Sequence, residues 1–140
     1  MVTTGCRMFL DYPVVGTGDI DLRKLYVTYI EPIDSAEGGH LHNDYVMLLV
    51  TLGAVGFIAV MALFVKILCL EWRNFQRTRT DWLYGSISLG CLAVYVGFLV
   101  SGLFEWNFGD HEIAVYLWFS VGLSLASERL YLQDRSQSLP

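Results

Sequence analysis

The sequence predicts an all-α integral membrane protein in which three transmembrane helices follow an exterior segment. Two observations carry this prediction. Hydrophobic residues make up 54% of the 140 residues, and a mean hydropathy of +0.47 is high for a soluble domain of this size. The apolar residues are also gathered into three long runs. The predicted organisation is an exterior segment at 1–45, a membrane region at 46–127 and a cytoplasmic tail at 128–140.

The three apolar runs differ in how well their lengths fit a bilayer. The run 46–70 has Lys66 as its only charge, and the run 82–104 has none. At about 1.5 Å per residue, each helix would exceed the roughly 30 Å of bilayer hydrocarbon. The run 113–127 would reach only roughly 22 Å, so it spans only if its helix extends through Leu132. No run contains proline, so the sequence forces no break inside the membrane.

The charges between the runs predict the orientation. The connector 71–81 holds Arg73, Arg77 and Arg79, and short basic connectors stay on the cytoplasmic side. The segment 1–45 and the loop between the second and third runs then lie outside, which is the periplasm of a Gram-negative cell. The net charge is −5, and the exterior segment carries no basic patch, so nucleic acid is not an expected partner.

The stretch 39–45 reads GHLHNDY and lies directly before the first apolar run. Asn43 or Asp44 suits the N-cap of the following helix, because its side chain accepts hydrogen bonds from the first backbone amides. This interpretation accounts for the two polar residues next to the helix. It leaves the role of His42 open.

A metal site is an alternative for the histidines. His40 and His42 would point the same way only on an extended backbone, and they would need further ligands such as Glu105, Asp110 or His111. The five residues do not form a recognised ligand spacing. We therefore expect no metal site.

A second pattern begins at His42. His42, Asn43, Gly53 and Gly56 form the array H-N-x9-G-x-x-G. Eleven residues are close to three helical turns, so on a continuous helix both glycines would lie roughly below His42 and form a helix-packing motif. This array resembles the signature of the O-antigen ligase and O-antigen polymerase superfamily of bacterial envelope glycosyltransferases.

Two further stretches agree with that resemblance. The turn at 13–18 reads P-V-V-G-T-G and is similar to the Pro-x-x-Gly-x-Gly turn found upstream of the histidine in the family. Taken alone, the stretch 11–19 that contains it indicates a tight turn rather than a phosphate loop. The stretch 102–107 reads G-L-F-E-W-N and is similar to the Gly-Leu-Phe-Glu-x-Asn loop of some members. Family members have more spans, so this chain is expected to be the C-terminal portion, either truncated or one piece of a split protein.

The resemblance implies a reaction at the bacterial inner membrane that uses no metal or cofactor. The donor is a glycan linked through pyrophosphate to undecaprenol, and the acceptor is a hydroxyl of lipid A core, of a glycan or of a protein. The implied base is His42, since imidazole exchanges protons near neutral pH. Arg7 would neutralise the departing pyrophosphate. Asn43, His40 and Glu105 are the other implied substrate-binding residues.

Alternatives stay open for several of these roles. Arg7 lies closer to the turn than the arginines of full-length relatives, so an ordinary surface position is its alternative, and His40 is either substrate-positioning or simply exposed. The rival function is a small non-enzymatic multi-pass subunit or transport component, favoured by small residues four apart such as Ser86 and Gly90. An exterior His42 favours the enzyme, because a subunit needs no ionisable group there. Ligase or polymerase, the glycan and the acceptor stay undecided.

Overall fold

The described part of the protein is mostly helical. The computed structural model describes residues 2–18, 29 and 42–137. Within these ranges the elements are α1 (Val2–Asp11), α2 (Asp44–Thr78), α3 (Trp82–Ser101), a 3-10 helix (Asn107–Gly109) and α4 (His111–Gln137). The predicted all-α fold class is confirmed.

Two of these helices, α2 and α3, are long and apolar enough to cross a membrane. Only 22% of the apolar window of α2 and 33% of that of α3 is buried inside the chain, whereas the core helix of a soluble protein would be mostly buried. Exposed apolar surface of this kind is what a helix in lipid presents. The two helices correspond to the predicted spans 46–70 and 82–104. The span predicted at 113–127 is not among the helices of the described chain that pass this test, and it stays a prediction.

Two helices are longer than their predicted spans. The helix α4 is 27 residues long and continues past Leu132, so its length alone would suffice to cross the hydrocarbon. The helix α2 runs through most of the predicted connector 71–81 and ends at Thr78. The connector contains no proline or glycine and holds good helix formers, so nothing in it stops the helix.

The chain divides into two compact units, which we call the first unit (residues 1–62 with 100–109) and the second unit (residues 63–99 with 110–140). The core of the first unit is made by buried Met8 of α1 with Met47 and Val50 of α2. Partly buried side chains pack against this core: Phe9, Tyr29, Val46 and Trp106. Both helices therefore contribute an apolar face to the same core.

The core of the second unit is organised around Tyr95 of α3, which is fully buried. Its hydroxyl donates a hydrogen bond to the carbonyl of Phe64 at 3.0 Å. The rings of Phe64 and Phe98 meet edge to face, with centroids 6.3 Å apart. The segment of α2 in this unit is thus held to α3 by aromatic packing and by a satisfied buried hydroxyl.

The segment 1–45, which is predicted to be exterior, contains α1, a helix that the sequence patterns did not predict. This helix ends before Pro13, because a residue that precedes proline is disfavoured in the helical region. The turn predicted within 11–19 is present at 13–18, and its two glycines have φ of 71° and 68°. Tyr29 donates a hydrogen bond to the carboxylate of Asp11, and this bond raises the pKa of the Tyr29 phenol above its ordinary value.

Candidate functional site

The candidate site begins with a break in α2. Gly53 has φ 65° and ψ −174° inside the helix, a backbone conformation that is essentially restricted to glycine. The sequence of this run has no proline to force a break, and the helix is nevertheless interrupted at this residue. A glycine can also interrupt a helix when another segment forms hydrogen bonds with the backbone groups that the break leaves unpaired.

The turn at 13–18 supplies those partners. In an unbroken helix the amides of residues 54 and 55 would donate to the carbonyls of residues 50 and 51. Here both bonds are replaced by bonds to the turn, so two helical bonds are exchanged for four. The four bonds are Ala54 N to Pro13 O (2.9 Å), Val55 N to Val14 O (3.3 Å), Thr17 N to Val50 O (2.9 Å) and Gly18 N to Thr51 O (3.0 Å). The four backbone groups of those two helical bonds therefore all have partners in the turn, as apolar surroundings require.

The exchange is possible because two glycines meet. A Cβ atom added to Gly16 would collide with the backbone of Thr51 and Gly53, and one added to Gly53 would collide with the backbone of Val14 and Gly16. The Pro-x-x-Gly-x-Gly turn and the first glycine of the H-N-x9-G-x-x-G array are therefore one structural unit. The packing of Gly53 and Gly56 against another helix stays a prediction.

The start of α2 is capped as expected. The side-chain oxygen of Asn43 accepts a hydrogen bond from the amide of Val46 at 2.9 Å, so Asn43 is the N-cap. Its side-chain amide donates to the carbonyl of Leu103 at 2.8 Å. One side chain thus ends the helix and holds the stretch 102–107 against it.

The next residue, Asp44, holds the same stretch more extensively. Its side chain is 1% exposed. Its carboxylate accepts hydrogen bonds from the Asn107 amide nitrogen (2.8 Å), from Asn107 Nδ2 (3.2 Å) and from the Phe108 amide nitrogen (3.5 Å). Its own amide donates to the carbonyl of Gly102 at 2.7 Å. We call residues 102–108 the anchored loop, since it is bound at both ends.

The anchored loop brings Glu105 to His42. The distance from Glu105 Oε2 to His42 Nδ1 is 3.0 Å, and the two side chains are 63% and 39% exposed. A carboxylate at Nδ1 favours the ring tautomer with its proton there. The histidine and the carboxylate are distant in sequence, and the fold makes them an accessible pair.

Three further residues bear on the predicted site: Arg7, His40 and His111. Arg7 is exposed on α1, one residue before the core residue Met8, and its role stays a prediction. His40 lies outside the described residues. His111 is exposed at the start of α4 and belongs to the second unit. Within residues 2–18, 29 and 42–137, no three side chains among His, Cys, Asp and Glu are grouped to hold a metal ion.

Sequence analysis missed the contribution of two residues. The sequence indicates a helix cap for Asp44, and for Asn107 a place in the family-like loop at the outer edge of the membrane, but it does not indicate that the two side chains meet. The signal that could have found them is the presence of polar residues directly before the apolar run 46–70 and directly after the apolar run 82–104. If both runs span the membrane, the end of the second run returns to the side from which α2 starts.

The comparisons with known proteins agree with the resemblance in the part of the chain that holds the turn and the H-N-x9-G-x-x-G array. Residues 1–61 match the family described as O-antigen ligase, which confirms the resemblance over this segment. The matched segment ends before the anchored loop, so the likeness of residues 102–107 to the family loop stays a prediction. A search of curated proteins gives no match. The family match supports a role in O-antigen or cell-envelope glycan assembly, and with the two apolar helices it indicates a membrane protein.

Proposed function

We propose that this chain, whose first 61 residues match the O-antigen ligase family, carries the proton-accepting part of a membrane glycosyltransferase. The reaction transfers a glycan from undecaprenyl pyrophosphate to an acceptor hydroxyl on lipid A core, on a glycan or on a protein. The single observation that carries the proposal is the 3.0 Å contact between His42 Nδ1 and Glu105 Oε2. The pair is accessible, as a site that meets an external substrate must be.

The geometry suits general-base catalysis. With Nδ1 directed to Glu105, Nε2 of His42 is the ring nitrogen that takes the proton of the acceptor hydroxyl. The oxygen of that hydroxyl forms a bond to the anomeric carbon while the bond from that carbon to the pyrophosphate oxygen breaks. The proton ends on His42, the configuration inverts, and undecaprenyl pyrophosphate leaves. Glu105 stabilises the imidazolium that forms.

The departing pyrophosphate needs positive charge. Arg7 is our proposed source, because a guanidinium offers a fork of donors to phosphate oxygens and its side chain is exposed on α1. The proposed roles of Asn43 and Glu105 differ from simple substrate binding. Asn43 holds the anchored loop, and Glu105 acts on the donor and acceptor through His42.

The proposed location is the bacterial inner membrane, with the first unit's polar site on the periplasmic side. Arg73 and Arg77 in the last part of α2 and Arg79 just after it favour a cytoplasmic position for that end of the helix. The contact between His42 and Glu105 supports this topology, because it places the start of α2 and the residues after α3 together. The expected third span, α4, would then return the C-terminal residues to the cytoplasm.

A reconstituted transfer assay tests the proposal. The chain is inserted in vesicles with an oligosaccharide on undecaprenyl pyrophosphate and each acceptor class in turn, and the products are separated by mass. His42→Ala should lower transfer by about 10²- to 10⁴-fold, and Glu105→Gln should cause a smaller loss. His111→Ala is the matched control, since it removes an exposed histidine of the second unit.

The outcomes separate three cases. Normal transfer by a well-inserted His42→Ala variant would contradict the base assignment. If the inserted wild-type chain transfers to none of the acceptors, it is not an enzyme by itself. The proposal then requires transfer to appear when the chain is co-expressed with a membrane protein portion of the same family that supplies further spans.

The rival function, a non-enzymatic multi-pass subunit, has one observation in its favour. Ser86 and Gly90 of α3 line an apolar groove together with Tyr116 and Phe119 of α4. Such a groove beside small residues suits the approach of another transmembrane helix. Transfer that depends on His42 would exclude this function as the chain's only role.

A further inference from the structure

We infer that Asp44 is a positioning residue that sets the contact between His42 and Glu105 by fixing the anchored loop. This inference deepens the proposed function and rests on it for its consequence in transfer. Its structural content is that the orientation of His42 depends on the buried carboxylate of Asp44, two residues further along the chain.

The bonds of Asp44 and Asn43 lie on both sides of Glu105 in the loop. Before Glu105, the carbonyls of Gly102 and Leu103 accept hydrogen bonds from the Asp44 amide and from the Asn43 side chain. After Glu105, the amides of residues 107 and 108 donate to the Asp44 carboxylate. The backbone on either side of Glu105 is therefore tied to the residues that directly follow His42.

Burial separates the anchor from the pair that it positions. Asp44 is 1% exposed, whereas His42 and Glu105 are 39% and 63% exposed. A carboxylate removed from water is costly unless donors surround it, and here two backbone amides and one side-chain amide do so. Exposed residues on a loop are mobile without such support, and reactive groups need supporting hydrogen bonds to hold their geometry.

Asp44 also packs closely against the backbone of the anchored loop. A Cβ atom added to Gly102 would lie 2.5 Å from Asp44 Oδ2, so the loop backbone passes directly against the carboxylate. The side chain of Asn107 is itself held, because its oxygen accepts a hydrogen bond from the Ser101 hydroxyl at 3.3 Å. The loop has no room to shift toward α2 while Asp44 is in place.

A swap of the two polar side chains gives a sharp test. In Asp44→Asn, the new oxygen can still accept from the backbone amide of Asn107, but the new amide faces Asn107 Nδ2, and two donors repel. In the double variant Asp44→Asn with Asn107→Asp, the amide and the carboxylate exchange places and the bond between them is restored. The single variant should therefore be impaired and the double variant should recover.

The first readout is independent of transfer. The protein has three histidines, so ¹⁵N-histidine NMR of the inserted chain shows few Nδ1 signals, and the one lost in His42→Gln is that of His42. Glu105→Gln should move this signal by removing the carboxylate. Asp44→Asn should move it in the same direction, and the double variant should return it toward the wild-type position.

The second readout is transfer itself. Asp44→Asn should reduce kcat about tenfold to a hundredfold with little change in KM for the donor, which is the size of loss seen when supporting hydrogen bonds around reactive groups are removed. The double variant should regain most of it. Asp110→Asn is the matched control, since Asp110 is an exposed aspartate of the second unit whose carboxylate accepts from the amide of Glu112 at 3.1 Å.

A His42 signal that moves in Glu105→Gln but stays unchanged in Asp44→Asn would overturn the inference. So would a signal that moves in neither variant, because the pair would then be absent. Failure of the double variant to recover the signal in a chain of wild-type helicity would also overturn it. If the signals behave as expected while the wild-type chain transfers no glycan, either by itself or with the co-expressed membrane portion, the proposed function fails and the positioning by Asp44 stands.

Discussion

The two units stabilise their helices in different ways. In the first unit, backbone groups of α2 bond to the turn at 13–18, and the anchored loop bonds to the start of the same helix. In the second unit, described contacts between helices are made mainly by side chains. These contacts are Asn74 with Ser124 (3.1 Å), Thr78 with Ser88 (3.0 Å), Tyr84 with Asp134 (2.5 Å) and Arg77 with Glu128.

This difference shows where the molecule departs from regular geometry. Regular helices satisfy their own backbone groups and need only side chains to meet, which is enough for a membrane bundle. In the first unit α2 is interrupted, and two of its backbone hydrogen bonds are replaced by bonds to the turn at 13–18. Irregular backbone of this kind is common at functional sites. The first unit, which contains the broken helix, also contains His42 and Glu105.

The largest expected effect on stability is at the crossing of the two glycines. Gly53→Ala adds a methyl group against the backbone of Gly16 at a φ of 65°, so strain and overlap add. We expect a loss of roughly 2–5 kcal/mol in the free energy of unfolding. Denaturation of the detergent-solubilised chain, followed by circular dichroism, measures it.

The control for that prediction is Gly18→Ala. Gly18 has a similar φ of 68°, but no atom lies within 4 Å of an added Cβ, so only the conformational cost of about 1–2 kcal/mol applies. Equal losses in the two variants would show that the backbones do not meet at Gly53. The insertion of the turn into α2 would then be wrong.

A smaller effect is expected from the polar contacts of the second unit. With its amide oriented so that oxygen faces Ser124, Asn74 accepts from that hydroxyl at 3.1 Å and donates to Glu128 Oε2 at 2.9 Å. Asn74→Leu should cost about 1–3 kcal/mol, because both buried partners lose a hydrogen bond. The same denaturation measures it, and Arg73→Ala, at the exposed neighbouring position, should stay within about 0.5 kcal/mol of wild type. A loss in Asn74→Leu no larger than that of the control would show that the polar contacts do not stabilise this unit.

The smallest effect is expected at Gly97 of α3, where no atom lies within 4 Å of an added Cβ. Gly97→Ala should stabilise the isolated chain by about 0.5–1 kcal/mol, since alanine is the better helix former. Gly122→Ala of α4 is the matched control, because that glycine is equally open. If Gly97→Ala lowers the stability of the chain in native membranes and Gly122→Ala does not, a partner helix packs at Gly97, as the small-residue spacing predicts.

Much of the architecture could be predicted because it depends on local patterns. The apolar runs at 46–70 and 82–104 are long and continuous, and Asn43 ahead of the first run has the chemistry of an N-cap. The ends of α2 and α4 were predicted less well. Their polar residues beyond the runs continue the helix, and hydropathy marks where lipid ends rather than where a helix ends.

The sequence by itself determined the helical fold class, two apolar helices, the turn at 13–18 and the family-like array that starts at His42. Only the tertiary structure decided that α2 breaks at Gly53, that the turn completes its hydrogen bonds, and that Asp44 ties down the loop that carries Glu105. The physical reason is that helix periodicity and hydropathy are local. A backbone break or a buried carboxylate is stable only when distant segments supply hydrogen-bond partners. No local pattern in the sequence identifies those segments.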